Sequence, residues 1–169
     1  MLLVLGCDIM AIRNSKELGS NLFKIAKRLL DNQLLCRLLV NDDSDPLARE
    51  VKDPLTLLNK NIVVVPKIDE QDFNRDSKLA LVFPYGEVNN ENSEFKNLQF
   101  HVLVYTTLDT WIINDENLRP FTIMSQVEES LKDKRINGIG VMKYEGFELT
   151  TLTDKISCYQ MRFEIDVFN

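Results

Sequence analysis

The sequence predicts an α+β fold: a mostly antiparallel, twisted sheet of five to six strands packed against two main helices, residues 15–40 and 120–134. Three observations carry this. Apolar side chains recur at helical spacing from Ser15 to Asn32 and again from Pro120 to Lys134. The closing segment, Cys158 to Phe168, alternates polar and apolar residues over its whole length, as a strand with one buried face does. The order is helix, strands, helix, strands.

In the first helix Ser15 is the expected N-cap, and Leu18, Leu22, Ile25, Ala26 and Leu29 form one stripe, with Lys24, Lys27 and Arg28 opposite. Gln33 to Val40 continues it after a bend, and Asn41-Asp-Asp-Ser-Asp-Pro stacks turn formers that end all helix. Residues 42–61 are polar and carry Pro46 and Pro54, each of which keeps its predecessor extended, so a surface excursion is expected. Ile62 to Val65, closed by Pro66, and Leu79 to Phe83, closed by Pro84, read as short strands, with each proline marking a strand end or a sheet edge.

The stretch between Tyr85 and Leu98 is rich in turn residues and reads as a long hairpin loop. Phe100 to Tyr105 is a strand covered on both faces, hence central. Pro120 is well placed in a first helical turn, and Phe121, Ile123, Met124, Val127 and Leu131 make the second helix's apolar stripe. Gly138 to Leu152 reads as a β-hairpin turning at Glu145-Gly146. Residues 1–14 form an N-terminal extension, and residues 15–169 suit a single domain.

Apolar content of 44% with 27% charged residues fits a globular protein. Cys7, Cys36 and Cys158 are odd in number and far apart, so they fit neither a disulfide framework nor a zinc spacing and are expected reduced and mostly buried. The apolar opening has no basic residues before it and is interrupted by Asp8, so it is not read as a signal peptide, and synthesis in the cytoplasm is expected. No apolar run reaches the roughly 20 residues of a membrane helix, so no membrane role is expected. Twenty-six acidic against twenty basic side chains give a net charge of −6, which repels phosphate backbones and disfavours nucleic-acid binding.

No constellation assembles into a catalytic, cofactor or metal site. Asp42, Asp43 and Asp45 cluster as calcium ligands can, but neither Pro46 nor the residues after it supply the glycine or the late bidentate acid of a calcium loop. His101 is the only histidine and sits mid-strand between Phe100 and Val102, without a nucleophile at a recognised spacing. Gly138-Ile-Gly140 lacks a third glycine and precedes a strand, so it is no phosphate cradle. Glu128 and Glu129 are adjacent on a helix and point in different directions, which rules them out as a carboxylate pair flanking one bond.

One oddity is left. Leu108-Asp-Thr-Trp-Ile-Ile113 places an apolar cluster and the only tryptophan in a strand-to-helix connection, between Asp109 and Asn114-Asp-Glu-Asn117. Connections lie at the surface, so Trp111, Ile112 and Ile113 either fold back on the core or are covered by a partner, and they are the candidate subunit interface.

The element order resembles that of bacteriophage tail-terminator proteins, the tail-completion and head-tail joining proteins of long-tailed phages. The resemblance runs over residues 15–169 and is carried by helix 15–40, the strands ending near Pro66 and Pro84, Phe100-His-Val-Leu-Val-Tyr105, Ile123-Met-Ser-Gln-Val-Glu-Glu-Ser-Leu131, the segment Gly138 to Leu152 and the closing Tyr159 to Val167. It implies a non-enzymatic virion protein in the tail or neck. Such a subunit forms a ring, typically a hexamer, that caps the tail tube and joins it to neck and connector proteins while DNA passes through the lumen. The sequence departs from that pattern in residues 1–14 and in the long segment 42–61. By a separate route, a chain without a site, with polar loops at 69–76 and 87–97 and an apolar connection, is better equipped for assembly than for catalysis. An acid excess also suits a lumen that must not hold DNA. The competing expectations are a soluble enzyme or small-molecule-binding module using a pocket between sheet and helices, and a monomeric adaptor.

Overall fold

The computed structural model describes residues 15–88, 90–91, 95–114, 116–136 and 138–166. The expected extension 1–14, Cys7, and the end of the closing strand past Asp166 lie outside the described residues.

Helix α1 (Ser15–Leu30) buries Ile25, Ala26 and Leu29 completely, and Leu18 and Leu22 pack half-buried beside them, as the spacing predicts. Helix α2 (Gln33–Val40) follows a capped break rather than a simple bend. The Asn32 side chain accepts the Leu35 N–H at 3.1 Å, which satisfies one of the donors that a helix start leaves free.

Residues 42–61 are more than a surface excursion. Two 3-10 turns, Pro46–Ala48 and Pro54–Leu57, each open on proline, and Pro46 and Leu57 are buried. The Gln33 amide donates to Val51 O at 3.0 Å and accepts from Val51 N at 2.9 Å, strapping the segment to α2. Polar composition hid this, because only a few residues per turn need to face inward.

The remaining elements are β1 (Ile62–Val63), β2 (Lys78–Val88), β3 (Phe95–Thr107), β4 (Ile112–Ile113), β5 (Asn117–Leu118), α3 (Arg119–Leu131), β6 (Arg135–Ile136), β7 (Gly140–Leu152) and β8 (Ile156–Asp166). A six-stranded sheet runs β1-β2-β3-β8-β7-β6, and β4 and β5 make a separate ribbon. Among the described strands only β1 and β2 pair in parallel, and the other strand pairings are antiparallel. The predicted α+β class and strand number therefore hold.

One face of the sheet packs on the helices. Leu98, Phe100, Val102 and Val104 of β3 and Met161, Phe163 and Ile165 of β8 meet α1, α2 and α3 there in the main core, all at or near zero exposure. On the other face Ala80, Leu103, Tyr105, Ile156 and Cys158 are covered by Ile68 and Phe73 from the segment between β1 and β2. The closing strand is central, paired with β3 on one side and β7 on the other.

Three expectations about strand ends fail, each for a local reason. Pro84 does not end β2, which continues to Val88 with a register shift between Val82 and Tyr85. Proline is tolerated there because it sits at a bulge, and because β1 pairs only with Leu79 and Ala80, so that among the described residues this part of β2 has no second strand neighbour and the proline does mark a sheet edge, the other half of the expectation. The hairpin loop is shorter than expected, since Val88 pairs with Phe95. The Phe95 ring lies where a side chain on Gly86 would stand, 2.9 Å from a Cβ at that position, so the small residue lets the polar stretch stay paired. Finally, Glu145-Gly146 is not a turn. β7 runs straight through it, with a register shift between Tyr144 and Gly146 at a φ of 133°, backbone that favours glycine. The true hairpins turn before Gly140 and between Leu152 and Ile156.

Candidate subunit interface

The β4–β5 ribbon decides where the Trp111 cluster points. Ile113 turns inward and is 6% exposed, while Ile112, its neighbour on the opposite side of the strand, is 70% exposed. Trp111 is half-buried. The three residues therefore divide: Ile113 belongs to the core, whereas Trp111 and Ile112 reach the surface.

They do not stand alone. Trp111 packs against Tyr159 of β8, with ring centroids 6.3 Å apart. Tyr159 also meets Phe121 from the first turn of α3 at 5.2 Å and Phe147 of β7 at 6.0 Å, and Phe121 and Phe147 are 6.1 Å apart. Phe147 and Leu149 lie opposite Met161 and Tyr159, so they project from the helix-bearing side of the sheet, where Phe147 meets the first turn of α3. Phe121, Phe147, Leu149 and Leu152 are all exposed. Four touching aromatic rings with aliphatic neighbours thus form a continuous apolar surface, and a partner commonly covers a patch of this kind.

The same flank carries the open edge of the sheet. β6 pairs with β7 only at Gly140 and Val141, and the bridge from Lys132 to Met142 adds one residue. Past Met142, β7 has β8 alone as its strand partner among the described residues. Register shifts at Tyr144/Gly146 and Leu149/Thr151 interrupt that edge, as natural edges are interrupted against stray strand pairing. These bulges disfavour an added strand along this edge and leave its side chains as the accessible surface.

A buried arginine sets the connection that presents Trp111. Arg119, 1% exposed, donates from Nε to Thr110 O at 2.7 Å, from Nη1 to Leu38 O at 3.0 Å and Asn41 O at 2.6 Å, and from Nη2 to Asp43 O at 2.7 Å. Its backbone N–H donates to Trp111 O at 2.8 Å. One guanidinium thus ties the end of α2 and the start of α3 to the Trp111 connection. Burial pushes its pKa below the ordinary value, opposed by Asp43 and then Asp42. A second anchor, the Asn32 amide, donates to Gln126 O, Gln126 Oε1 and Ser130 Oγ on α3.

The residues singled out for chemistry are not brought together. His101 is half-buried on the sheet face away from the helices, and its cross-strand neighbours are Val82 and Arg162. Burial, and next the Arg162 charge, push its pKa below the ordinary 6.5, while Glu148, Glu145 and a hydrogen bond with Gln160 pull it back. Asp43 pairs with Arg49, and Asp42 with Arg75 at 3.4 Å, which also reaches Asp109 at 3.3 Å. Among the described residues no group of three or more His, Cys, Asp or Glu side chains is placed to hold a metal. Glu128 pairs with Lys132 at 2.8 Å on the solvated face of α3. Cys36 and Cys158 are buried free thiols whose pKa values burial raises, that of Cys36 to about 11, which disfavours a reactive thiolate. A cleft of about 450 Å³ lies at the loop end of the sheet, lined in part by Phe73, Arg75, Asp109, Asp154 and Lys155, and not between sheet and helices.

The lowered His101 pKa has a testable consequence. The folded state favours the neutral ring, so its contribution to stability is full above pH 6.5 and is lost as pH falls from there through the folded-state value. His101→Gln is expected to flatten the fall in melting temperature between neutral and mildly acidic pH relative to the parent chain. Parallel pH profiles for the two proteins would contradict it.

Among the described residues no helix is long and apolar enough to cross a membrane. Comparison with curated proteins finds no match. A family model described as YomW matches residues 32–165, from the cap of α2 to the end of β8. That name is of the type given to proteins of the Bacillus phage SPbeta region, which points to a phage-related protein. Since the match spans most of the chain, the chain belongs to the YomW family.

Proposed function

We propose that the chain is a non-enzymatic virion protein of the phage tail or neck. Its subunits form a ring, a hexamer by likeness to tail-terminator proteins, that terminates the tail tube and joins it to the neck. The aromatic surface formed by Trp111, Phe121, Phe147 and Tyr159, with Ile112 and Leu149 at its border, is the observation that carries this reading. The phage-related family and the tail-terminator element order support it. The net charge of −6 fits a lumen that lets DNA pass without gripping it.

Trp111→Ala tests the reading. The half-buried indole sits at the edge of the core, so the variant is expected to lose only a modest part of its thermal stability while ring formation and tail joining in a complementation assay fail. Lost monomer stability with normal joining by the molecules that stay folded would make Trp111 a core residue only. His101→Gln should leave joining unchanged. A hydrolytic or transfer activity that vanishes on that substitution would replace this reading with an enzymatic one.

A further inference from the structure

We propose that residues 64–75, in the segment between β1 and β2, form a latch over the sheet face that points away from the helices, and that this latch releases as a unit while the helix-bearing core stays folded. Release uncovers an apolar face separate from the aromatic surface, which lies on the helix-bearing side.

The latch covers a small cluster of its own. Ala80, Leu103, Tyr105, Ile156 and Cys158 stand on the sheet in β2, β3 and β8, and all five are buried apart from the main core. Only two latch side chains close over them: Ile68, which is buried, and Phe73, which is half-buried with its ring 5.7 Å from that of Tyr105 and 5.7 Å from the Lys78 ammonium. The main core, by contrast, draws on all three helices.

Polar ties do little to hold the span. Among the described residues the latch pairs with no strand, and its regular structure is the 3-10 turn Glu70–Asp72. Thr153 Oγ1 donates to Glu70 Oε1 at 3.1 Å at the surface, and the ion pairs of Arg75 with Asp42 and Asp109 join half-exposed side chains, whose net contribution is small. Firmer links are the Tyr105 hydroxyl on the Ile68 backbone and Thr107 Oγ1, which donates to Arg75 O at 3.5 Å. A cleft of about 450 Å³ separates Glu70, Phe73 and Arg75 of the latch from Lys155 and Ile156 of the sheet end, so the latch closes over the face without filling the space beside it.

The root of the latch is built differently. The Asn61 amide, 1% exposed, donates to Asp76 Oδ2 and Ser77 O at 3.0 Å each, Ser77 N donates to Leu39 O at 3.0 Å, and the buried Lys78 ammonium pairs with Asp76 at 3.2 Å. Arg75, at a φ of 63°, joins the span to that root through left-handed backbone. A segment with few buried apolar contacts and exposed polar bonds opens at a lower free energy than the whole domain, and here its fixed root directs the opening to residues 64–75.

The two buried thiols make the test possible in the full chain, since Cys158 lies under the latch and Cys36 lies in the main core. Native protein is alkylated with iodoacetamide, slowly relative to reclosing, and each thiol is followed by peptide mass spectrometry. Cys158 is expected to react about 10-fold faster than Cys36 or more, because it needs only the latch to open. Phe73→Ala should raise the Cys158 rate by about 10-fold or more and leave Cys36 unchanged, whereas Val127→Ala, in the main core, should raise the Cys36 rate without a matching rise at Cys158. Should Phe73→Ala fail to fold, Arg75→Gln removes only surface ion pairs and should raise Cys158 alone by about 2-fold to 5-fold. Equal rates for the two thiols in the parent, or variants that move both thiols together, would mean that this face opens only by global unfolding and would overturn the latch.

Discussion

Phe163→Asp is expected to unfold the protein. Phe163 is fully buried at the centre of β8, and its ring lies 6.0 Å from that of Phe100 and 5.2 Å from that of Tyr144. Removing a buried phenylalanine ring alone costs about 3–5 kcal/mol, and the carboxylate that replaces it must either stay unpaired or take up a proton at further cost. The sum rivals the roughly 5–15 kcal/mol of stability that a whole domain commands. The expected result is insoluble protein, or a chain without a cooperative melt. A variant that melts like the parent would show that β8 is not the central strand.

Arg119 carries the second large effect. Replacing it with Met keeps much of the side-chain volume but leaves the carbonyls of Leu38, Asn41, Asp43 and Thr110 without their donor. Leaving buried acceptors unpaired costs about 1–3 kcal/mol each when water cannot reach them, and the Asn41 and Asp43 bonds are only part-buried, so a total of about 3–5 kcal/mol is expected. Arg119→Lys keeps the charge but not the planar fork, so it should fall between the two. Urea midpoints in the order parent, Lys, Met would bear this out. A Met variant as stable as the parent would show that the guanidinium fills space and holds nothing together. Because Arg119 sets the Trp111 connection, the Lys variant should also lose more association than its stability loss explains.

The sequence was most legible where one physical pattern repeats. Helical spacing located α1, α2 and α3, and the alternation from Tyr159 to Val167 located β8, because burial on one face leaves a periodic trace. Interruptions misled. Pro84 and Glu145-Gly146 carry the composition of a strand end and a turn, yet both are bulges inside long strands, since a bulge needs the same unusual backbone as a turn. Gly86 would have been the clue that residues 85–88 stay paired, but its meaning depends on Phe95 across the hairpin.

The site was legible only in part. The Trp111 cluster stood out as apolar load in a connection, but the division that puts Ile112 outside and Ile113 inside needed the β4–β5 pairing. Phe121, Phe147 and Tyr159 come from three different elements, and periodicity placed Phe121 and Tyr159 on buried faces. Only their convergence in the folded chain makes the surface visible. The tertiary roles of Arg119 and Asn32 left no signal, because the partners that tie α2 to α3 lie some 80 to 100 residues away in the chain.

That this chain is a ring subunit at the head-tail junction is tested most directly by imaging phage particles that carry an epitope-tagged copy. The expected result is label confined to the junction between head and tail, with end views of isolated tails showing a closed ring. Label spread along the tail or over the head, or particles that carry none, would contradict it.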